Sequence, residues 1–128
     1  MNNPRRRVAI TGLGLVTPVG NDVASTWAAL LAGRSGAARI ASFDASGFPV
    51  RIAAEVKGLD DAEVLQALGD RKLLKFANRS HRFALVAAAQ AFADAGIRPT
   101  EATATRWGCV VGTGMMGVTY DELAQVQQ

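Results

Sequence analysis

Two short apolar runs, residues 8–10 (VAI) and 107–111 (WGCVV), each flow directly into a cluster of glycines. A run that does not alternate is apolar on both faces, and such a strand belongs inside a parallel sheet covered by helices. Glycines follow at positions 12 and 14 after the first run, and at 112 and 114 after the second. They allow a tight strand exit where backbone passes close to backbone. Buried strands are therefore predicted over residues 6–14 and 106–111, with an α/β fold built on a mixed, mainly parallel sheet. Two strong strands are fewer than such a sheet normally holds, so the sequence reads as the front of something larger.

The stretches between these runs carry helix signals. Asn21 or Asp22 can cap a helix running to Ala32, with Val23, Trp27, Leu30 and Leu31 at helical spacing and Gly33 as the stop. Residues 34–50 read as loop with short extended pieces near Ile40 to Phe43, and residues 50–56 alternate weakly, as an edge strand does. Residues 60–68 form a short helix with acidic residues in its first turn, where the helix dipole favours them. Residues 83–96 are alanine-rich, with Ser80 placed to cap and Gly96 and Pro99 to stop, so a closely packed helix is expected there. After the glycine loop, residues 118–127 again favour helix.

Charge narrows the possible partners. The net charge of +3 is too small to imply nucleic acid. Its distribution is uneven: Arg71, Lys72, Lys75, Arg79 and Arg82 fall in a stretch without any acidic residue, while Asp60, Asp61, Glu63 and Asp70 lie just upstream. Such a run is either a solvated helix face or a patch that meets an acidic partner at one spot. No apolar run approaches the roughly 18 residues needed to span a bilayer, and a single cysteine permits no intramolecular disulfide. A soluble cytoplasmic protein is the expectation.

The isolated motifs do not make a catalytic site. Gly12, Gly14 and Gly20 fail the dinucleotide fingerprint, because Thr17 stands where its third glycine is needed and Pro18 where its helix begins. Cys109 sits inside the second apolar run, where a free thiol is normally buried and inert. His81, the only histidine, lies 28 positions away in a basic stretch and makes a poor dyad with it. No carboxylate pair has a spacing that points to acid–base work. Neither a cofactor nor a metal is implied.

Four segments in order carry a family resemblance: RRVAITGLGLVTPVGNDVASTWAALLAGRSG (6–36), SFDASGFPVRIAAEV (42–56), KFANRSHRFALVAAAQAFADAGI (75–97) and RWGCVVGTGMMG (106–117). Together they resemble the start of the β-ketoacyl-acyl-carrier-protein synthases, nearest the elongating ketosynthase II type. The resemblance implies a thiolase-like α-β-α-β-α layered fold, of which residues 1–128 form an incomplete N-terminal part. It also implies a decarboxylative condensation of an acyl thioester with malonyl-carrier protein, in fatty acid or polyketide synthesis. The family's nucleophilic cysteine, in a T-A-C motif, its two histidines and its supporting lysine lie beyond residue 128. Cys109 and His81 match none of them, so no catalytic residue is carried over and the chain alone is expected to be inactive. Asn78, in place of a usual Asp, and Met116, in place of a usual Gly, are departures from the family pattern.

The resemblance assigns two kinds of binding residue. Arg71, Lys72 and Lys75 match the basic patch that receives the acidic acyl carrier protein, with Phe76 in place of a usual basic residue. If residues 71–82 form one helix, Arg71, Lys75, Arg79 and Arg82 share a face. Met115, after the second glycine of the GTGMMG loop, matches the residue that lines the acyl-chain pocket near the dimer interface. A homodimer or ketosynthase heterodimer is implied. The alternative is a non-catalytic ketosynthase-like partner kept for dimerisation or carrier binding.

Overall fold

Four short polar side chains start four helices, each by accepting a backbone N–H that the first turn leaves without an intrahelical partner. In the computed structural model, which describes residues 7–114, Asp22 caps helix α1 (Val23–Leu31), Asp60 caps α2 (Asp61–Leu68), Asp70 caps α3 (Arg71–Phe76) and Asn78 caps α4 (Arg79–Ala95). The caps at Asp60 and Asn78 are reciprocal: Glu63 accepts from the Asp60 N–H at 3.2 Å, and His81 Nδ1 accepts from the Asn78 N–H at 3.4 Å. Gly69 and Gly96 end α2 and α4 in the left-handed conformation, at φ 68° and 64°. After α1, two three-residue strands, β1 (Ala37–Arg39) and β2 (Ile52–Ala54), pair antiparallel with Ala38 opposite Ala53. Glu55 ties the loop between them to β2 by accepting the N–H groups of Ala41 and Ser42 at 2.9 and 3.2 Å.

Helix α4 organises the rest. It packs against α2, where Val64 and Val86 are the buried side chains of the pair, and Arg82 forms an ion pair with Asp61 at the start of α2. The opposite side of α4 meets the glycine segment. A Cβ on Gly12 would lie 2.2 Å from the Ala91 carbonyl oxygen, and one on Gly14 only 1.9 Å from that of Ala87. The expectation of a tight passage that only glycine fits holds here, and the alanines of α4 are its other half. Two polar side chains of α4 hold the segment in place: Asp94 accepts from the Leu13 N–H at 2.9 Å, and Gln90 from the Leu15 N–H at 3.0 Å. Gln90 also donates to the Asn21 carbonyl at 2.6 Å, joining the segment to the start of α1.

Several expectations are corrected. Of the strands expected over 6–14 and 106–111, the described residues 7–14 and 106–111 form neither: neither run has a ladder partner among the described residues, and Val8, Ile10 and Val110 are 92%, 82% and 99% exposed. The only sheet among the described residues is the small antiparallel pair, not a mixed, mainly parallel one. An apolar run encodes its need for cover, whereas a strand also needs a neighbour to accept its hydrogen bonds, and in this chain the Leu13 and Leu15 amides turn to α4 instead. Cys109 is consequently exposed rather than buried. Asn78 caps α4 in place of Ser80, and β1 lies slightly before the extended piece expected near Ile40. The stretch from 71 to 82 is two helices rather than one, because Ala77 is extended and Asn78 begins a new helix. Residues 115–128, including Met115, Met116 and the helix expected at 118–127, lie outside the described residues.

Candidate functional site

The break at Ala77 divides the five basic residues into two groups with different roles. Arg79 and Arg82, in the first turn of α4, reach back to neighbouring segments. Arg79 donates to the Val56 carbonyl and lies 5.5 Å from the Phe83 ring centroid, while Arg82 donates to the Ala77 carbonyl at 3.1 Å and pairs with Asp61. They fasten α4 to its surroundings and do not extend a common face with α3. The nearby acids are also engaged: Asp60 and Glu63 cap α2 together, Asp70 caps α3 by accepting the Lys72 N–H at 2.8 Å, and Asp61 holds Arg82.

Arg71, Lys72 and Lys75 remain. All three are exposed, and among the described residues none takes part in an ion pair. At about 100° per residue, the order around α3 is Arg71, Lys75, Lys72, Phe76, Leu73 across about 200°, with Leu74 on the opposite side. Leu74 is half-buried and anchors the helix, whereas the arc from Arg71 to Phe76 faces solvent. The sequence-matched trio therefore lies together on one short helix, raised on the corner between α2 and α4.

Beside this arc, between α3 and α4, opens an apolar cleft of about 320 Å³, lined by Leu73, Phe76, Ala84, Leu85 and Val111 among others. Val111 immediately precedes Gly112–Gly114 of the glycine loop, so the basic helix and the base of that loop share one cleft. Met115, the expected acyl-pocket residue, is outside the described residues. Phe76 stands at the junction of the cation arc and the cleft, and it is 85% exposed. The sequence marks this position only as a missing basic residue; its role as an exposed aromatic depends on how α3 sits against α4.

The other candidates make no catalytic group. His81 lines the same cleft but uses Nδ1 in the α4 cap, and Cys109 is exposed with no disulfide partner among the described residues. Among the described residues no three His, Cys, Asp or Glu side chains group as a metal site. Gly20 belongs to a turn held by the Thr17 and Thr26 hydroxyls, which donate to its carbonyl at 3.0 and 3.1 Å, and Asp22 starts α1 two residues later. That arrangement is a helix entry, not a phosphate cradle.

Comparison with known proteins matches the chain to a family. Residues 5–128 match the family described as "Beta-ketoacyl synthase, N-terminal domain". The chain is 47% identical over 118 residues to 3-oxoacyl-[acyl-carrier-protein] synthase 2 of Coxiella burnetii, covering 92% of this chain and 28% of that protein. It is 40% identical over 114 residues to the synthase of the same name from Vibrio cholerae, covering 89% of this chain and 27% of the relative. Among solved structures, the ishigamide ketosynthase/chain length factor superposes with a TM-score of 0.64 at 36% identity, covering 73% of this chain and 22% of that one. The chain thus spans less than a third of the length of these relatives.

Proposed function

Because the chain belongs to the β-ketoacyl synthase family and matches its N-terminal domain, we propose that residues 1–128 are the incomplete N-terminal part of a condensing enzyme. The whole enzyme joins an acyl thioester to malonyl-carrier protein with loss of carbon dioxide, in fatty acid or polyketide synthesis, and acts in the cytoplasm as a homodimer or ketosynthase heterodimer. Among the described residues no helix is long and apolar enough to cross a membrane. This part contributes no catalytic residue. It contributes the carrier-docking helix, through Arg71, Lys72 and Lys75, and one wall of the acyl pocket, through Met115. In the whole enzyme the apolar runs at 8–10 and 107–111 take their places in the mainly parallel sheet of the thiolase-like layering, beside strands from the rest of the family's length.

The observation that carries the docking assignment is the arc of three exposed cations on α3, none of them in an ion pair among the described residues, beside acids that are engaged in helix caps or with Arg82. An acidic carrier protein finds its counter-charges there without displacing any existing pair. Exposed pairs contribute only about 0.2–1 kcal/mol each, so the patch steers the encounter more than it holds the complex. In the full-length protein, Lys72→Glu with Lys75→Glu is expected to slow carrier association several-fold at low salt and to lose that effect as salt screens it. Stopped-flow association rates decide it: an unchanged rate at low salt removes the assignment. The alternative, a non-catalytic ketosynthase-like partner, is separated by the reading frame after Gln128, where a T-A-C motif supports the condensing enzyme.

A further inference from the structure

Helix α3 is held by its ends. It has six residues, too few to persist alone in water, and none of its side chains is buried among the described residues. Its start is fixed by Asp70, which accepts the Lys72 N–H directly after the Gly69 turn that ends α2. Its other end runs into Ala77, which leaves the helical conformation at φ −93°, ψ 109°. The Ala77 carbonyl accepts the Arg82 Nε–H at 3.1 Å, while a terminal nitrogen of the same guanidinium pairs with Asp61, the first residue of α2. Arg82 therefore joins three helices: it stands in the first turn of α4, holds the end of α3 and clasps the start of α2. Its side chain is 27% exposed, against 69% for Asp61. Arg79, the other arginine of this turn, reaches the Val56 carbonyl and the Phe83 ring instead.

We propose that Arg82 is a positioning residue: one planar guanidinium, meeting a carbonyl just past α3 and a carboxylate of α2, fixes where α3 stands and so where Arg71, Lys72 and Lys75 present their charge. What those charges meet rests on the docking role proposed above; the hold of Arg82 on the helix does not. A lysine at this position keeps the charge that pairs with Asp61. It is a point donor on a flexible stem, however, and loses the fixed angle between Nε and the terminal nitrogens. The Asp61 carboxylate orients the fork, because a charge-assisted hydrogen bond is roughly twice as strong as a neutral one. Without the fork, α3 keeps its Asp70 cap but has an untethered far end. It then opens locally, while α2 and α4 remain packed through Val64 and Val86.

The test uses the full-length protein, with Arg82→Lys as the variant and Arg79→Lys as the control that leaves the junction intact. Backbone hydrogen exchange in α3 is expected to quicken about tenfold in Arg82→Lys with α2 and α4 unchanged, and to stay within about twofold in Arg79→Lys. Asp61→Asn, which leaves the Ala77 bond and removes the orienting charge, is expected to quicken α3 by about two- to fivefold. The KM for a malonyl-carrier substrate is expected to rise about threefold in Arg82→Lys at unchanged kcat, because the cations lose their shared direction while nothing changes at the reacting atoms. If α3 in Arg82→Lys exchanges like the parent, or if α2 and α4 quicken equally, the inference is overturned. If α3 quickens and KM stays, while Lys72→Glu with Lys75→Glu slows carrier association, the docking assignment stands and the part of Arg82 in it is refuted. If α3 quickens and the charge reversal is also without effect, the docking assignment fails and the hold of Arg82 on α3 stands.

Discussion

Gly14→Ala tests the close passage on which the front of the fold depends. The new Cβ would lie 1.9 Å from the Ala87 carbonyl oxygen and 2.9 Å from the Ala91 nitrogen, both backbone atoms of α4. Ordinary contact begins near 3.4 Å, so the segment has to retreat by well over 1 Å. The Leu13 and Leu15 amides donate at 2.9 and 3.0 Å to Asp94 and Gln90, and a displacement of that size takes both beyond hydrogen-bonding range. Two such bonds are worth about 0.5–1.5 kcal/mol each, and overpacking adds about 1–3 kcal/mol. Against this, replacing glycine lowers the entropy of the unfolded chain by about 0.4–1 kcal/mol. The net expectation is about 1–5 kcal/mol of destabilisation, read from urea unfolding of the full-length protein at unchanged m-value. Gly47→Ala is the control, because a Cβ there meets nothing within 4 Å, and it is expected to stay within about 0.5 kcal/mol. If Gly14→Ala is as mild as Gly47→Ala, the glycine segment does not lie against α4 as described.

Asp22→Ala is expected to destabilise by about 1 kcal/mol through loss of the α1 cap, whereas Asp22→Asn retains the cap. The Ser25 N–H, then the Ser25 hydroxyl, hold the Asp22 carboxyl below its ordinary value of 3.8. Its contribution is therefore present above that pH and is lost as pH falls through the lower folded value. Unfolding free energy measured down the acid limb is expected to fall less steeply in Asp22→Asn, and identical slopes would refute the cap's part in acid sensitivity. In the complete enzyme, Met115→Phe is expected to lose long acyl substrates while sparing short ones, and Met115→Ala to show no such loss. Each buried methylene is worth about 0.8 kcal/mol, or roughly fourfold in preference. Equal loss at every chain length in kcat/KM measurements makes Met115 structural.

The helices were legible because their signals lie within one turn of each end. Asp22, Gly33 and Gly96 act on the backbone beside them, and the observed bounds of α1 and the end of α4 follow them closely, whereas the Asp60 cap and the Gly69 stop of α2 appear only in the structure. The start of α4 was placed two residues late, at Ser80, because the residue that closes the reciprocal cap at Asn78 is His81 rather than the usual Glu or Gln. Asn fills the place of the family's usual Asp there without penalty, since both cap equally well. The cation trio of α3 was visible as composition, but its separation from Arg79 and Arg82 was not, because Arg79 is drawn away by the Val56 carbonyl, 23 residues earlier in the chain.

Sequence alone determined that backbone must pass closely at Gly12 and Gly14, where helices begin and end, and that two apolar runs require cover. Tertiary structure decided what the glycines lie against, that Arg79 and Arg82 are drawn into contacts apart from α3, and that Phe76 is exposed among the described residues. Within residues 7–114 no other segment covers Val8, Ile10 and Val110. The physical reason is one of range: a cap or a stop is a contact between near neighbours in sequence, whereas a strand exists only where another segment accepts its hydrogen bonds and buries its faces.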